Sequence, residues 1–181
     1  MTLLLNPAPA WRPSRSDEIV LWHGCTNTDF NSIRNGINLA QCRVDADFGR
    51  GFYMTTIERQ ARHWAWIRFW SLPPAGRRRN YPVILEFRVD RVALGQLVSL
   101  AFVIGDYDSL DYWSLVQRCR QSTPYAPQNH LLPGGQDWYD LVSGPVAADW
   151  RQRACLHDAD QFSFHTPRGI SLLKRPIKTR I

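Results

Sequence analysis

Acidic side chains are in short supply in this 181-residue chain: 16 Asp and Glu stand against 22 Lys and Arg, a formal charge of +6. That imbalance leans weakly toward a phosphate-bearing or acidic partner, since charge of this size also keeps ordinary domains in solution. Long apolar runs are missing as well. Nowhere do about 18 apolar residues follow one another, which excludes an ordinary membrane-crossing helix. The opening Met1-Thr-Leu-Leu-Leu-Asn-Pro7 has too short an apolar run, and no basic leader, for a secretory signal. A soluble protein made in the cytosol is expected, acting there or delivered into a target cell without a cleaved leader, with no membrane partner. Cysteine is scarce and scattered: Cys25, Cys42, Cys119 and Cys155 include no Cys-x-x-Cys pair, and the histidines do not fall at zinc-finger spacing. Free thiols and no metal follow as expectations.

What is present is a core. Hydrophobic residues make up 44% and aromatics 12% of the chain, with 8 Trp, a composition that folds. The length suits one well-filled core and predicts a single α+β domain. Residues 1–18, with Pro7, Pro9 and Pro13, read as an irregular lead-in. Ile19 to Trp22 reads as a buried strand that delivers His23-Gly24 at its end, and Asp29 to Asn35 as a short helix stopped by Gly36. The helical run Ile57 to Trp70 carries Ile57, Ala61, Trp64 and Ala65 on one core-facing stripe, so its aromatics read mostly as packing. Val83 to Val89 and Gln96 to Ile104 read as strands, and Asp106 as the cap of a helix reaching Arg120. A proline- and glycine-rich loop from Pro124 to Gly135 follows. Tyr139 to Val146 is read as a strand that stops at its Gly-Pro pair. In Gln161-Phe-Ser-Phe-His165, strict alternation puts Gln161, Ser163 and His165 on one face, toward a cleft or solvent if Phe162 and Phe164 are buried. The basic tail 174–181 reads as a solvated exit.

Within this order one stretch, Asp47-Phe-Gly-Arg-Gly-Phe-Tyr-Met-Thr-Thr56, concentrates chemistry. Gly49 and Gly51 allow a ligand to approach the main chain closely, and Phe52 and Tyr53 point to opposite faces of an extended segment. One aromatic can enter the core while the other faces a cleft, the pattern of a strand that binds a flat ligand. Thr55 and Glu58 read as a capping box opening the next helix. Arg77-Arg-Arg79 is a basic loop; to touch nucleic acid it needs aromatic or further basic neighbours in space.

His23, Tyr53 and Gln161, on three separated strand-like segments, resemble the ADP-ribosyltransferase fold in its branch marked by a His-Gly pair, a Gly-x-Tyr strand followed by a helix, and an acid or amide on a late strand. More narrowly, Leu21-Trp-His-Gly24, the 47–56 stretch, Gln60-Ala61 with Trp64-Ala65, Tyr139 to Ala147 and Asp160-Gln-Phe-Ser-Phe-His-Thr166 resemble a bacterial domain family of unknown function assigned to that superfamily, over residues 19–173. The resemblance implies a split, mostly antiparallel sheet that binds NAD as co-substrate in the cleft between its halves. It assigns the adenosine-side ribose to His23, the nicotinamide amide to the Gly24 main chain, the nicotinamide ring to Tyr53 and the nicotinamide ribose to Gln161. Gly51, Phe52 and Thr55 complete the NAD-contacting set, and Arg50, by charge and proximity alone, is assigned to the pyrophosphate.

The expected activity is transfer of ADP-ribose from NAD to a macromolecular acceptor, protein or nucleic acid, with release of nicotinamide, in a bacterial toxin, effector or defence protein that an antitoxin or immunity protein would partner. Such chemistry passes through a loose, oxocarbenium-like transition state, so the enzyme mainly bends NAD, grips the leaving ring and positions the acceptor. Gln161 departs from the glutamate of the better-known transferases: an amide holds a hydroxyl but supplies no full negative charge. That departure keeps two alternatives in view, a catalytically inactive module binding nucleic acid or a protein partner, and an NAD glycohydrolase. A cysteine hydrolase built on Cys25 with His23 or His165 lacks a third, orienting group.

Overall fold

The computed structural model describes residues 17–103, 105–106, 108–121 and 138–181. The expected lead-in up to residue 16, and the Pro124 to Gly135 loop, lie outside the described residues. Chain order is β1 (Glu18–Thr26), α1 (Asn27–Ile33), β2 (Phe52–Met54), α2 (Glu58–Trp70), α3 (Pro74–Arg77), β3 (Pro82–Asp90), α4 (Arg91–Gly95), β4 (Ser99–Ala101), α5 (Leu110–Arg120), β5 (Leu141–Asp149), β6 (Ala154–Phe164), α6 (Pro167–Ile170) and β7 (Ile177–Arg180). This is an α+β fold with two sheets. β1, β3 and β7 form an antiparallel sheet in the order β1-β3-β7; the other runs β2-β6-β5-β4, antiparallel except that β4 lies parallel to β5.

Alternation explains the layering. Leu21 and Cys25 of β1, and Val83, Leu85, Phe87 and Val89 of β3, point to one side of the first sheet; Phe52, Met54, Leu141 and Phe164 do the same in the second. Together they form one buried cluster drawn from both sheets. The far side of the first sheet receives α2, where Ala61 and Ala65 pack against Ile84 and Trp22. The far side of the second receives α5 and the segment before β2: Phe48, Tyr112, Trp113, Val116 and Val142 are buried there. The order of layers is therefore α2, first sheet, second sheet, α5.

Several expectations need correction. His23 and Gly24 lie inside β1 rather than beyond its end, because β3 continues the pairing to Thr26 and only then does Thr26 cap α1, in a capping box with Asp29. The Thr55–Glu58 box does not form. Ile57 occupies the N-cap position, and Thr55 Oγ1 accepts instead from the Ile57 amide at 3.0 Å. α2 packs through alanines, leaving Trp64 41% exposed, Trp66 41% and Trp70 61%. The small side chains bring the helix backbone so close to the sheet that bulkier residues are left to the flanks. α5 starts at Leu110 under Ser109, and Asp106 caps the preceding turn by accepting from the Asp108 amide at 3.1 Å. β5 runs through Gly144-Pro145 to Asp149, with irregular register after Pro145. β4 pairs only with 141–143, so the missing amide of Pro145 interrupts no bond on that side. The tail is no solvated exit: β7 pairs with β3, and the Lys178 ammonium lies 4.6 Å from the Phe30 ring centre and 3.1 Å from Tyr81 Oη.

Candidate functional site

Besides packing face to face, the two sheets are joined along one edge, among the described residues, by an antiparallel bridge. Trp22 N–H donates to Thr55 O at 2.7 Å, and Thr55 N–H to Trp22 O at 2.9 Å. Past this bridge β1 and β2 diverge, each with its own partner strand. Because main-chain groups alternate sides along an antiparallel strand, the N–H and C=O of Gly24 point the same way as those of Trp22, toward β2 and away from β3. Gly24 also lets α2 in. A Cβ built there would lie 2.0 Å from Ala61 O and 2.8 Å from Ala65 N.

His23 sits at the seam. Its Nδ1–H donates to Tyr53 O at 2.7 Å, and its ring stacks on Phe52 at 4.4 Å between centres and 27° between planes. Burial lowers its pKa below the ordinary value, against the opposing pull of that carbonyl. The imidazole is accordingly neutral at pH 7, with its Nε2 lone pair free to accept from a hydroxyl.

Tyr53 turns the other way. Its Oη donates to Gly49 O and accepts from the Phe48 amide, both at 2.8 Å, closing the turn in which Gly49 adopts φ +77°. Burial raises its pKa. Tyr53 pairs with Ser163 of β6, so Tyr53, Gln161 and Ser163 share one side of the second sheet. That side is covered by α5 and Asp47-Phe48, which leaves Gln161 6% exposed and Ser163 fully buried. The expectation that the polar trio faces a cleft or solvent is corrected for two of its members: Gln161 and Ser163 are buried beneath α5 and Asp47-Phe48, while Phe164 is buried and Phe162 half-buried against the first sheet's cluster.

Gln161 spends its amide hydrogens on protein. Nε2 donates to Asp47 Oδ2 at 2.7 Å and to Pro145 O at 2.8 Å. Asp47, 2% exposed, also accepts from Arg120 Nε at 2.7 Å and from the Ala147 amide at 2.9 Å. A buried charge is thereby paired and hydrogen-bonded. Asp47 opens the 47–56 stretch, yet nothing local in the sequence marks its role, because its partners lie 73 to 114 residues away.

A second joint ties the remaining motif pieces together. The Asp160 carboxylate accepts from the Thr55 and Thr56 hydroxyls and from the Thr56 amide, while Gln60 Nε2 donates to Asp160 O at 2.8 Å and Gln60 Oε1 accepts from Asp160 N at 3.2 Å. Thr55, assigned to NAD, is thus buried in a strand–helix clamp. Asp160 and Gln161 turn to different partners, as alternation requires. Gly51 abuts Ser163 and His165, with room for no Cβ, and the exposed Arg50 offers its carbonyl to His165 Nδ1 at 2.7 Å. His165 Nε2 and Trp138 Nε1 are buried with no partner among the described residues, and burial pushes the His165 pKa down to about 4.

The structure therefore joins His23, Gly24, Phe52 and the Tyr53 main chain at the seam. It sets the Tyr53 phenol and the Gln161 carboxamide on the opposite side of the second sheet. A shallow groove of about 450 Å³, lined by Ile37, Leu39, Pro167 and Ile170 among others, contains none of the residues expected to touch NAD. Cys25 is buried and its thiol is pushed up to about 12 by desolvation, so it is no nucleophile at neutral pH. Among the described residues no three His, Cys, Asp or Glu gather as a metal site would require, and no helix is long and apolar enough to cross a membrane.

Residues 19–157, from β1 into β6, match the family model described as protein of unknown function (DUF3990). The chain belongs to the DUF3990 family. The match takes in the DUF3990 chain's seam residues, the 47–56 stretch and Arg120, and ends before Gln161. No curated protein and no solved structure matches it.

Proposed function

We propose that this DUF3990 chain is an NAD-dependent ADP-ribosyltransferase that works at the β1–β2 seam and passes ADP-ribose to a macromolecular acceptor. The observation that carries the reading is the seam itself. Two sheets joined along one edge by a bridge diverge beside a neutral imidazole whose Nε2 can accept from a ribose hydroxyl, next to Gly24 main-chain groups aimed at the opening. A flat carboxamide-bearing ring would find a donor and an acceptor on that backbone, beside an imidazole that Phe52 backs from the core. With its amide committed to Asp47 and Pro145, Gln161 acts in this reading as a positioning residue that fixes the turn before β2; it does not grip ribose. The reaction needs little proton transfer, so the lack of a carboxylate at the ribose slows it without forbidding it.

Incubating the protein with labelled NAD and a cell lysate tests the proposal. Label appears on macromolecules and disappears with His23→Ala, while a thermal melt shows that the variant is folded. Free ADP-ribose accumulating without acceptor would make it a glycohydrolase instead. The burial of Gln161 and of the Tyr53 phenol favours a second reading, a catalytically inactive module of the same architecture, and the absence of both nicotinamide release and label transfer would select it.

A further inference from the structure

The outward face of α2 and the loop behind it offer a surface the seam does not use. From Ile57 to Asn80 the sequence holds six arginines and one acidic residue, Glu58, so this stretch alone supplies most of the chain's formal +6. This element and its exit therefore carry a local excess of positive charge.

The same element exposes its aromatics. Trp66 and Trp70, one turn apart on the side away from the sheet, are stacked with ring centres 6.4 Å apart and planes 23° apart; Phe69 packs edge-on against both. Arg77 folds back from α3, with its guanidinium 5.3 Å from the Trp70 ring centre and its Nη1 donating to Trp70 O at 3.0 Å. That contact carries the basic loop, with exposed Arg78 and Arg79, to the end of the tryptophan pair. Toward the helix start lie Arg62, in an i,i+4 pair with Glu58, and Arg59. A row of aromatic faces is therefore flanked at both ends by guanidinium groups.

We propose that this face binds single-stranded nucleic acid, the bases stacking on Trp66 and Trp70 and the phosphates tracking the arginines on either side. Charge complementarity selects a polyanion, and exposed ring faces select unpaired bases over a duplex, whose bases already stack on one another. A helix lying in a membrane interface would segregate its rings from its charges; here both occupy one face. The surface is separate from His23 and Gly24, so the proposal stands whether or not the seam turns over NAD.

The test is fluorescence anisotropy of a labelled 20-mer of thymidylate or uridylate titrated with the full chain at several salt concentrations, without NAD. Binding is expected to weaken with salt in proportion to the phosphates contacted, about 0.7 log units of affinity per log unit of salt for each. The double change Trp66→Ala and Trp70→Ala should weaken it about tenfold or more, and Arg78→Ala with Arg79→Ala should flatten the salt dependence. Both pairs of residues are on the surface, and an unchanged thermal melt confirms that each variant is folded. Equal or tighter binding of a duplex of the same length, no effect of the tryptophan changes, or binding to phosphatidylserine vesicles or polyglutamate but not to the oligonucleotide would each overturn the proposal.

Discussion

Gln161 Nε2 and Asp47 Oδ2 meet at 2.7 Å beneath α5, although 114 residues separate them in sequence. The amide joins the Arg120 guanidinium and the Ala147 amide in letting a buried carboxylate sit beside β6. This gives Gln161 a physical reason to be glutamine, independent of any reaction.

Replacing Gln161 by Glu removes two donated hydrogen bonds and sets a second carboxylate against Asp47. Destabilisation of about 1–3 kcal/mol is expected at pH 8. The introduced acid is pushed toward its neutral form in the folded state, so its pKa is raised on folding and the loss should shrink as pH falls. Melting temperatures of both proteins at pH 8 and pH 5 check the sign. Enhanced NAD hydrolysis with unchanged stability would show the side chain facing the ribose instead.

Gly24→Ala should cost about 3 kcal/mol or more, at the upper end of overpacking effects. The added methyl would meet the backbone of α2 at Ala61 O, 2.0 Å away, and backbone cannot rotate out of the way as a side chain can. Chemical denaturation gives the value. A change within 0.5 kcal/mol would mean that α2 rides farther from β1.

Acid should destabilise the fold through two histidines. Burial depresses the pKa of His23, and takes that of His165 to about 4. The unfolded chain therefore binds protons that the folded one refuses as pH falls below about 6.5. The stability these groups contribute is present above that point and drains away toward pH 4. Denaturation midpoints between pH 7.5 and 4.5 should fall less steeply in His165→Gln.

Iodoacetamide applied to the native protein at pH 8 should leave Cys25 and Cys119 unmodified. Both are buried, and desolvation takes each thiol up to about 12. Mass spectrometry after brief labelling should find any adduct on the less buried Cys42 or Cys155, and all four should react in denaturant. Rapid native labelling of Cys25 would reopen the thiol-nucleophile alternative.

Trp113, fully buried beneath the second sheet, donates through Nε1 to Asp106 O. Trp113→Ala should cost about 3–5 kcal/mol from lost burial and the cavity left behind. Loss of near-ultraviolet ellipticity together with a lowered melting temperature would register it.

The sequence by itself settled the α+β class, most of the strands and helices, the opposite pointing of Phe52 and Tyr53, and the shared face of Gln161, Ser163 and His165. These are local matters, since periods of 2 and 3.6 and turn residues such as Gly36 act within a few positions. Only the tertiary structure decided what lies over each face. Alternation groups Gln161 with Ser163 but cannot say that α5 and Asp47 roof them, that alanines rather than tryptophans seat α2 on β1, or that the basic tail closes the first sheet as β7. Each of those outcomes depends on a partner tens of residues away, where which surfaces exclude water together is fixed by the packing of whole layers and not by the pattern along any one strand.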